Sequence, residues 1–112
     1  MQFPLEIAFE GIPQDDVLKD YIRTEAAALD HLASQISRAR IVLGRPHRRY
    51  HTVKACRVHL EIERPGAPNI VITRDPAITG ADEDVRATIG DAFKALHRRL
   101  VEAKRQPPLP PA

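Results

Sequence analysis

The chain lacks several residue types on which particular protein classes depend. Its 112 residues include one cysteine and no tryptophan, and aromatic residues make up 4%. The lone Cys56 excludes an internal disulfide framework and is typical of a reducing cytosol. No stretch approaches the roughly 18 consecutive apolar residues of a membrane-spanning helix, and the N-terminal segment has no apolar run typical of a signal peptide. We therefore expect a soluble cytoplasmic protein with no membrane partner.

The length predicts one domain with a single core. A chain of 112 residues buries roughly 65% of the surface that its unfolded form exposes, which is enough for a core without disulfides or metals. We place this single domain over residues 1–105 and a Pro-rich tail over residues 106–112. The tail should be extended polyproline or disordered, and its PxxP spacing is explained more simply by a solvated terminus than by a peptide ligand.

The net charge of +2 hides a strong segregation of charge along the chain. Residues 1–36 carry seven acidic and two basic side chains, whereas residues 37–64 carry eight basic and two acidic ones. From residue 94 onward there are five basic residues and one acidic residue. Thirteen of the 17 cationic residues are arginines, whose planar fork suits phosphate better than a lysine point charge does. This pattern favours a polyanionic partner.

Hydrophobic periodicity predicts six elements in the order strand, helix, strand, strand, strand, helix. The strands are predicted over residues 3–10, 38–43, 52–63 and 70–73. One helix should begin at the capping pair Asp15-Asp16 and end near Ser34, and the other should follow the acidic residues 82–84 and end before Pro107. A turn over residues 64–69 joins the last two strands into a hairpin.

Each predicted strand has one apolar and one polar face, so both helices should cover the same side of the sheet. The helix between the first two strands implies a parallel crossover, and the shorter connections imply antiparallel neighbours. The predicted fold class is therefore α+β, a two-layer sandwich in the order β-α-β-β-β-α with a four-stranded mixed sheet.

Two groups of residues are candidates for nucleic-acid binding, because each phosphate that a cation neutralises releases counterions. The open sheet face and the loop after the second strand hold Arg38, Arg40, Arg45, His47, Arg48, Arg49, Tyr50, Lys54 and Arg57. The second long helix holds Lys94, Arg98, Arg99 and Arg105. Three of these helix residues, at offsets of 0, 4 and 11, fall within an arc of roughly 40°. The open face lacks aromatic residues, which favours recognition of backbone and shape over base stacking.

Other interpretations of the same residues remain open or are less favoured. Glu61 and Glu63 allow the sheet face to be an ordinary charge-balanced surface. His47 and His51 lack the paired spacing of structural zinc ligands, so no metal is expected. The acidic pairs are explained by helix capping, and no catalytic triad order, cysteine nucleophile or phosphate-binding glycine loop is present. We therefore expect no enzyme activity, no cofactor and no small-molecule substrate.

The chain resembles the ribosome hibernation-promoting factors, also called ribosome-associated inhibitors or sigma modulation proteins. The resemblance spans residues 1–105 and rests on the order of elements, the opening Met1-Gln2 strand, the segment DVLKDYI at 16–22 and the closing run at 83–100. The basic loop at 45–51 is similar to a Pro-His-Arg segment of one branch of the family. The chain departs from the family pattern at Glu25 and the following alanines, where many members are rich in lysine.

The resemblance implies a fold like that of double-stranded RNA-binding domains and a place in the decoding channel of the small ribosomal subunit. There the family blocks messenger and transfer RNA in starvation or stationary phase. Lys94, Arg98, Arg99 and Arg105 would contact ribosomal RNA phosphates by position. The chain resembles the short form, without a dimer-forming domain, so a monomer is expected. The alternative is a protein-interaction module that regulates transcription through its acidic first helix and basic loop.

Overall fold

The computed structural model describes residues 2–44, 56–75 and 85–105 of the chain. Its elements are β1 (Leu5–Glu10), α1 (Asp16–Ala27), a 3₁₀ helix (Asp30–Gln35), β2 (Arg38–Gly44), β3 (Arg57–Arg64), β4 (Ala67–Arg74) and α2 (Val85–Arg105). The predicted order β-α-β-β-β-α is confirmed. Within these three ranges, no helix is long and apolar enough to cross a membrane.

The four strands form one mixed sheet in the order β1-β2-β3-β4. β1 pairs parallel with β2, and the two following pairs are antiparallel. The helical segment between β1 and β2 supplies the crossover that a parallel pair needs, whereas Pro65 and Gly66 form a tight turn between β3 and β4. Gly66 has a φ of +65°, a conformation that glycine adopts without steric cost. The sheet topology agrees with the prediction.

β4 begins at Ala67, so the predicted turn over residues 64–69 is wrong at its C-terminal end. Ala67 pairs with Arg64, and the register is irregular between Ile62 and Arg64. Pro68 lies inside β4, although proline usually indicates a turn. The position is possible because β4 is an edge strand, where an N–H directed away from the sheet is not needed for pairing.

The first long helix begins at a side-chain cap. The carboxylate of Asp15 accepts hydrogen bonds from the backbone N–H groups of Val17 and Leu18 at 2.9 and 3.3 Å, as the capping prediction required. α2 runs over Val85–Arg105, and Pro107, before which its end was predicted, lies outside the described residues. The acidic residues 82–84 lie outside the described residues.

The first helix is shorter than predicted, because α1 ends at Ala27 rather than near Ser34. The chain then tightens into 3₁₀ geometry, with the N–H of Leu32 donating to the carbonyl of Leu29 at 2.8 Å. Both leucines remain buried, since residues three apart share a face in a 3₁₀ helix. The apolar spacing of three therefore fits one continuous α-helix or an α-helix followed by a 3₁₀ helix.

A single apolar core lies between the sheet and the helices. Alternate strand residues point into it, and Ile41, Leu60 and Ile72 are aligned across three strands in register. Ile22 of α1 and Leu96 of α2 pack against these rows and are fully buried. Both helices thus cover one face of the sheet, as predicted. The other face, which we call the open face, carries the polar side chains, with Val42 buried among them.

Candidate nucleic-acid interface

α2 presents a row of cations on the side that faces away from the core. Leu96 and Leu100 are fully buried, whereas Lys94 and Arg98 are exposed. At about 100° per residue, both cations lie roughly 160° around the helix from Leu96, and they are about 6 Å apart along its axis. The core-facing stripe of α2 therefore directs Lys94 and Arg98 outward, as predicted. The side chain of Arg105 lies outside the described part of the chain.

Three exposed cations of α2 form no ion pair with a carboxylate among the described residues. Lys94, Arg98 and Arg99 take part in none of the ion pairs among the described residues. Asp91, one turn before the row, is instead held by Arg74 of β4, with 3.2 Å between Nε and Oδ2. We call Lys94 and Arg98, together with the exposed Arg99 on a neighbouring side of the helix, the α2 surface. Its positive charge is available to an external anion.

The open face of the sheet also carries arginines, but each of them has a carboxylate partner. Nη2 of Arg38 donates to Oε2 of Glu6 at 2.8 Å, and Nε of Arg40 lies 3.6 Å from Oε1 of the same carboxylate. On the other side of the face, Nε of Arg57 lies 3.7 Å from Oδ1 of Asp75. A phosphate at any of these arginines would have to compete with a carboxylate.

Strand pairing explains why acids and bases meet on the open face. Glu6 of β1 is the register partner of Arg40 in β2, which in turn is aligned with Glu61 of β3. Arg38 is aligned with Glu63 in the same way. Over β1, β2 and β3 this face therefore holds three arginines and four glutamates. The acidic first third of the chain and the basic second third neutralise one another here.

The other residues predicted to bind RNA lie either in the segment 45–55 or on the strands of the open face. Residues 45–55 lie outside the described residues, and they include Arg45, His47, Arg48, Arg49, Tyr50 and Lys54. Their assignment to RNA binding stays a prediction, as does that of Arg38, Arg40 and Arg57.

The cations of α1 are engaged locally. Arg23 bonds to Asp20 at 3.1 Å, and Nζ of Lys19 donates to Gln14 at 3.1 Å while lying 6.0 Å from the centre of the Phe9 ring. Exposed pairs of this kind contribute about 0–1 kcal/mol, so they bias the side chains without locking them. The cations of α1 therefore have local partners, whereas Lys94, Arg98 and Arg99 of α2 form no ion pair among the described residues.

Nothing among the described residues builds a metal or nucleophile site. No group of three or more His, Cys, Asp or Glu side chains in these ranges is arranged to hold a metal ion. His31 and His97 are in contact, with ring centres 5.6 Å apart, which joins the 3₁₀ helix to α2. Cys56 is buried with the core, and burial raises the pKa of its thiol, which makes the reactive thiolate rarer.

The sequence did not predict the ion pairs of two residues, Glu6 and Arg74. In the sequence Glu6 is one of the alternating polar positions of the first strand, and Arg74 follows the last predicted strand without any pattern that marks it. Glu6 could have been found by aligning the predicted parallel strands, because that alignment places it beside Arg40. Arg74 had no comparable signal, since its pairing with Asp91 joins a strand end to a helix across the layers.

Together these observations define a class of protein: a small α+β sandwich with one open sheet face and a cationic helix on the opposite outer side. The family model for the Sigma 54 modulation protein / S30EA ribosomal protein matches residues 5–107. The chain belongs to this family, and the resemblance noted in the sequence is confirmed.

Solved structures share the fold. A ribosomal subunit interface protein from Coxiella burnetii superposes with a TM-score of 0.70 at 14% identity, covering 91% of this chain and 98% of the other. The N-terminal domain of Protein Y from Thermus thermophilus gives a TM-score of 0.66 at 18% identity, covering 89% and 98%. No curated protein sequence matches the chain. At these identities the likeness establishes the fold.

Proposed function

We propose that the protein is a ribosome-associated factor that binds small-subunit ribosomal RNA and inhibits translation by occupying the space that messenger or transfer RNA would use. The family assignment and the ribosomal subunit interface protein with the same fold support association with the ribosome. The proposed role belongs to stress or stationary phase, when translation is suppressed. It needs no catalysis, and we propose that the protein acts as a monomer in the cytoplasm.

The observation that carries the proposal is the uncompensated charge of the α2 surface. Lys94 and Arg98 lie one turn apart on the outer side of α2, with no carboxylate paired to either within the described residues. Each contact with a phosphate would release counterions, and together such contacts provide affinity that falls steeply with salt. Charge arranged in this way suits the RNA backbone, which is read without base-specific contacts.

Sedimentation of cell extract on a sucrose gradient tests the proposal. We expect the protein in ribosomal fractions at low salt, with the small subunit after dissociation of the ribosome, and a larger bound fraction in starved cells. Absence from ribosomal fractions at low salt, in both starved and growing cells, would refute ribosome association. Addition of purified protein to a cell-free translation reaction tests inhibition separately, since a bound protein that leaves peptide synthesis unchanged is not an inhibitor.

Charge reversal on α2 tests the surface itself. Arg98→Glu should weaken ribosome association about tenfold at low salt, because it removes one phosphate contact and adds a repulsive charge. Arg38→Glu on the open face is the matched control, since Arg38 is also exposed but already paired with Glu6. Equal losses in the two variants would contradict an interface centred on α2.

A second candidate function is a protein-interaction module that regulates transcription. The family description favours keeping it, because it begins with sigma 54 modulation. Capture of partners after nuclease treatment separates the two functions. A ribosomal partner lost with the RNA supports the first proposal, and a transcription protein retained without RNA supports the second.

A further inference from the structure

The open face of the sheet places its arginines among carboxylates from both neighbouring strands. Glu6 lies between Arg38 and Arg40, and each of its oxygens meets a different guanidinium, at 2.8 and 3.6 Å. The two arginine side chains are 55% and 42% exposed, so solvent and ligands can reach them. One carboxylate thus engages donors on two side chains that a phosphate would otherwise use.

Acids on β3 close the other side of the same arginines. Glu61 is aligned with Arg40, and Glu63 with Arg38. Directly opposed side chains on neighbouring strands have Cβ atoms about 4.5–5.5 Å apart, which is well within electrostatic range. Each of these two arginines therefore has glutamates on both neighbouring strands.

We propose that these carboxylates close the open face to nucleic acid and that Glu6 is the residue that decides this specificity. The inference rests on the proposed function only in taking RNA as the polyanion. It goes further by assigning opposite roles to two surfaces that both carry arginines.

The strength of a single ion pair does not decide whether the open face binds a phosphate. An exposed pair contributes about 1 kcal/mol or less, so a phosphate could displace Glu6 from either arginine. The displaced carboxylate would nevertheless stay on the strand, within the roughly 8–10 Å over which charges interact at physiological salt. An approaching phosphate would gain an arginine and meet Glu6 and a second glutamate. The net effect on the phosphate is repulsion or no gain.

β1 supplies a matched control for Glu6. Glu10 lies on the same strand and the same face, four residues further on, and is also exposed. Its register partner in β2 is Gly44 rather than an arginine, and none of the ion pairs among the described residues includes it. Glu6→Gln and Glu10→Gln therefore change the charge of the face equally, but only Glu6→Gln releases two guanidinium groups.

The test measures binding of a fluorescein-labelled RNA duplex of roughly 20 base pairs, longer than the roughly 16 that a double-stranded RNA-binding domain spans. At about 50 mM salt we expect Glu6→Gln to bind about threefold more tightly, with a salt slope steeper by about one contact. Glu10→Gln should change the dissociation constant less than about 1.5-fold. Equal gains in the two variants would overturn the role of Glu6.

Arg40→Gln tests the closed face directly. In the wild-type background it should leave duplex binding unchanged, and in the Glu6→Gln background it should cancel the gain. A loss in the wild-type background as large as that of Arg98→Gln would overturn the inference. Ribosome sedimentation is scored separately. Duplex binding with this pattern but without ribosome association would refute the proposed function and leave the closed sheet face standing.

Discussion

α2 and the open face of the sheet both carry several exposed cations, but they differ in what lies beside those cations. On α2 the neighbours of Arg98 are residues three and four positions away. They include one acid, Glu102, and no ion pair joins it to Arg98 among the described residues. On the sheet the neighbours of Arg40 are Glu6, far earlier in the chain, and Glu61, far later. The charge of a helix surface is thus determined by residues close together in the sequence. The charge of a sheet surface is determined by strands that are far apart in the sequence.

The comparison shows why charge counted along the chain is a poor guide to surfaces. The basic segment 37–64 and the acidic segment 1–36 look like two opposed surfaces in the sequence. Parallel pairing of β1 with β2 brings them onto one face, where Glu6 holds Arg38 and Arg40. The C-terminal segment has a smaller excess of charge but keeps it, because α2 does not pair with an acidic strand.

The largest expected effect concerns the core that both surfaces share. Leu96 is fully buried where α2 packs on the sheet, and Leu96→Ala should lower the free energy of unfolding by about 2–5 kcal/mol. Urea denaturation followed by circular dichroism measures this. Arg98→Gln, two residues further on, should change stability by about 0.5 kcal/mol or less. A comparable loss from Arg98→Gln would mean that the α2 surface has a structural rather than a binding role.

The next effect separates the two surfaces by their salt dependence. In Lys94→Gln/Arg98→Gln the slope of log affinity for RNA against log salt should fall by about 1.4–1.8, since two phosphate contacts are lost. The double variant Arg38→Gln/Arg40→Gln removes the same charge from the open face and should leave the slope nearly unchanged. Fluorescence anisotropy titrations at several salt concentrations measure both. A similar fall in the two slopes would remove the distinction between the surfaces.

A smaller effect is expected where the two layers meet. Arg74 of β4 pairs with Asp91 of α2 at 3.2 Å, one turn before Lys94. Asp91→Asn should strengthen RNA binding about twofold and Arg74→Gln should weaken it about twofold, because the charge near the α2 surface changes in opposite directions. Asp20→Asn in α1 is the control for loss of an exposed pair. Shifts of the same sign in Asp91→Asn and Arg74→Gln would contradict this electrostatic explanation.

The smallest expected effect concerns the start of β3, where successive side chains point alternately to the core and to the open face. Cys56 is buried and Arg57, its neighbour, is turned to the open face. Burial raises the pKa of the Cys56 thiol, so the native protein should react with a thiol reagent much more slowly than the urea-unfolded chain. Because the raised pKa belongs to the folded state, stability should fall as the pH rises past the ordinary thiol pKa. Equal reaction rates in the two states would show that Cys56 is accessible.

Much of the fold could be predicted because its signals are local. The alternation around Ile41, the capping carboxylate of Asp15 and the three-four spacing in α2 each depend on residues a few positions apart. The end of α1 could not be predicted, since Leu29 and Leu32 are buried equally well by α or 3₁₀ geometry. Pro68 misled the prediction of β4 because its tolerance depends on the strand lying at the sheet edge.

Part of the candidate site could also be predicted from local signals, and part could not. The outward direction of Lys94 and Arg98 followed from helical periodicity alone, because Leu96 and Leu100 determine which side of α2 faces the core. The neutralisation of Arg38, Arg40 and Arg57 did not follow from periodicity. Alternation placed these arginines on the open face, but the carboxylates beside them come from β1 and from Asp75, after β4.

The amino-acid sequence by itself determined the elements, their buried faces and the cationic side of α2, since each depends on the spacing of neighbouring residues. Only the tertiary structure decided which charges remain available. Strand order and register place Glu6 between two arginines and attach Asp91 to Arg74, and these contacts join residues 17 to 34 positions apart. Electrostatic neighbours are set by distance in space, and in a sheet that distance is decided by pairing.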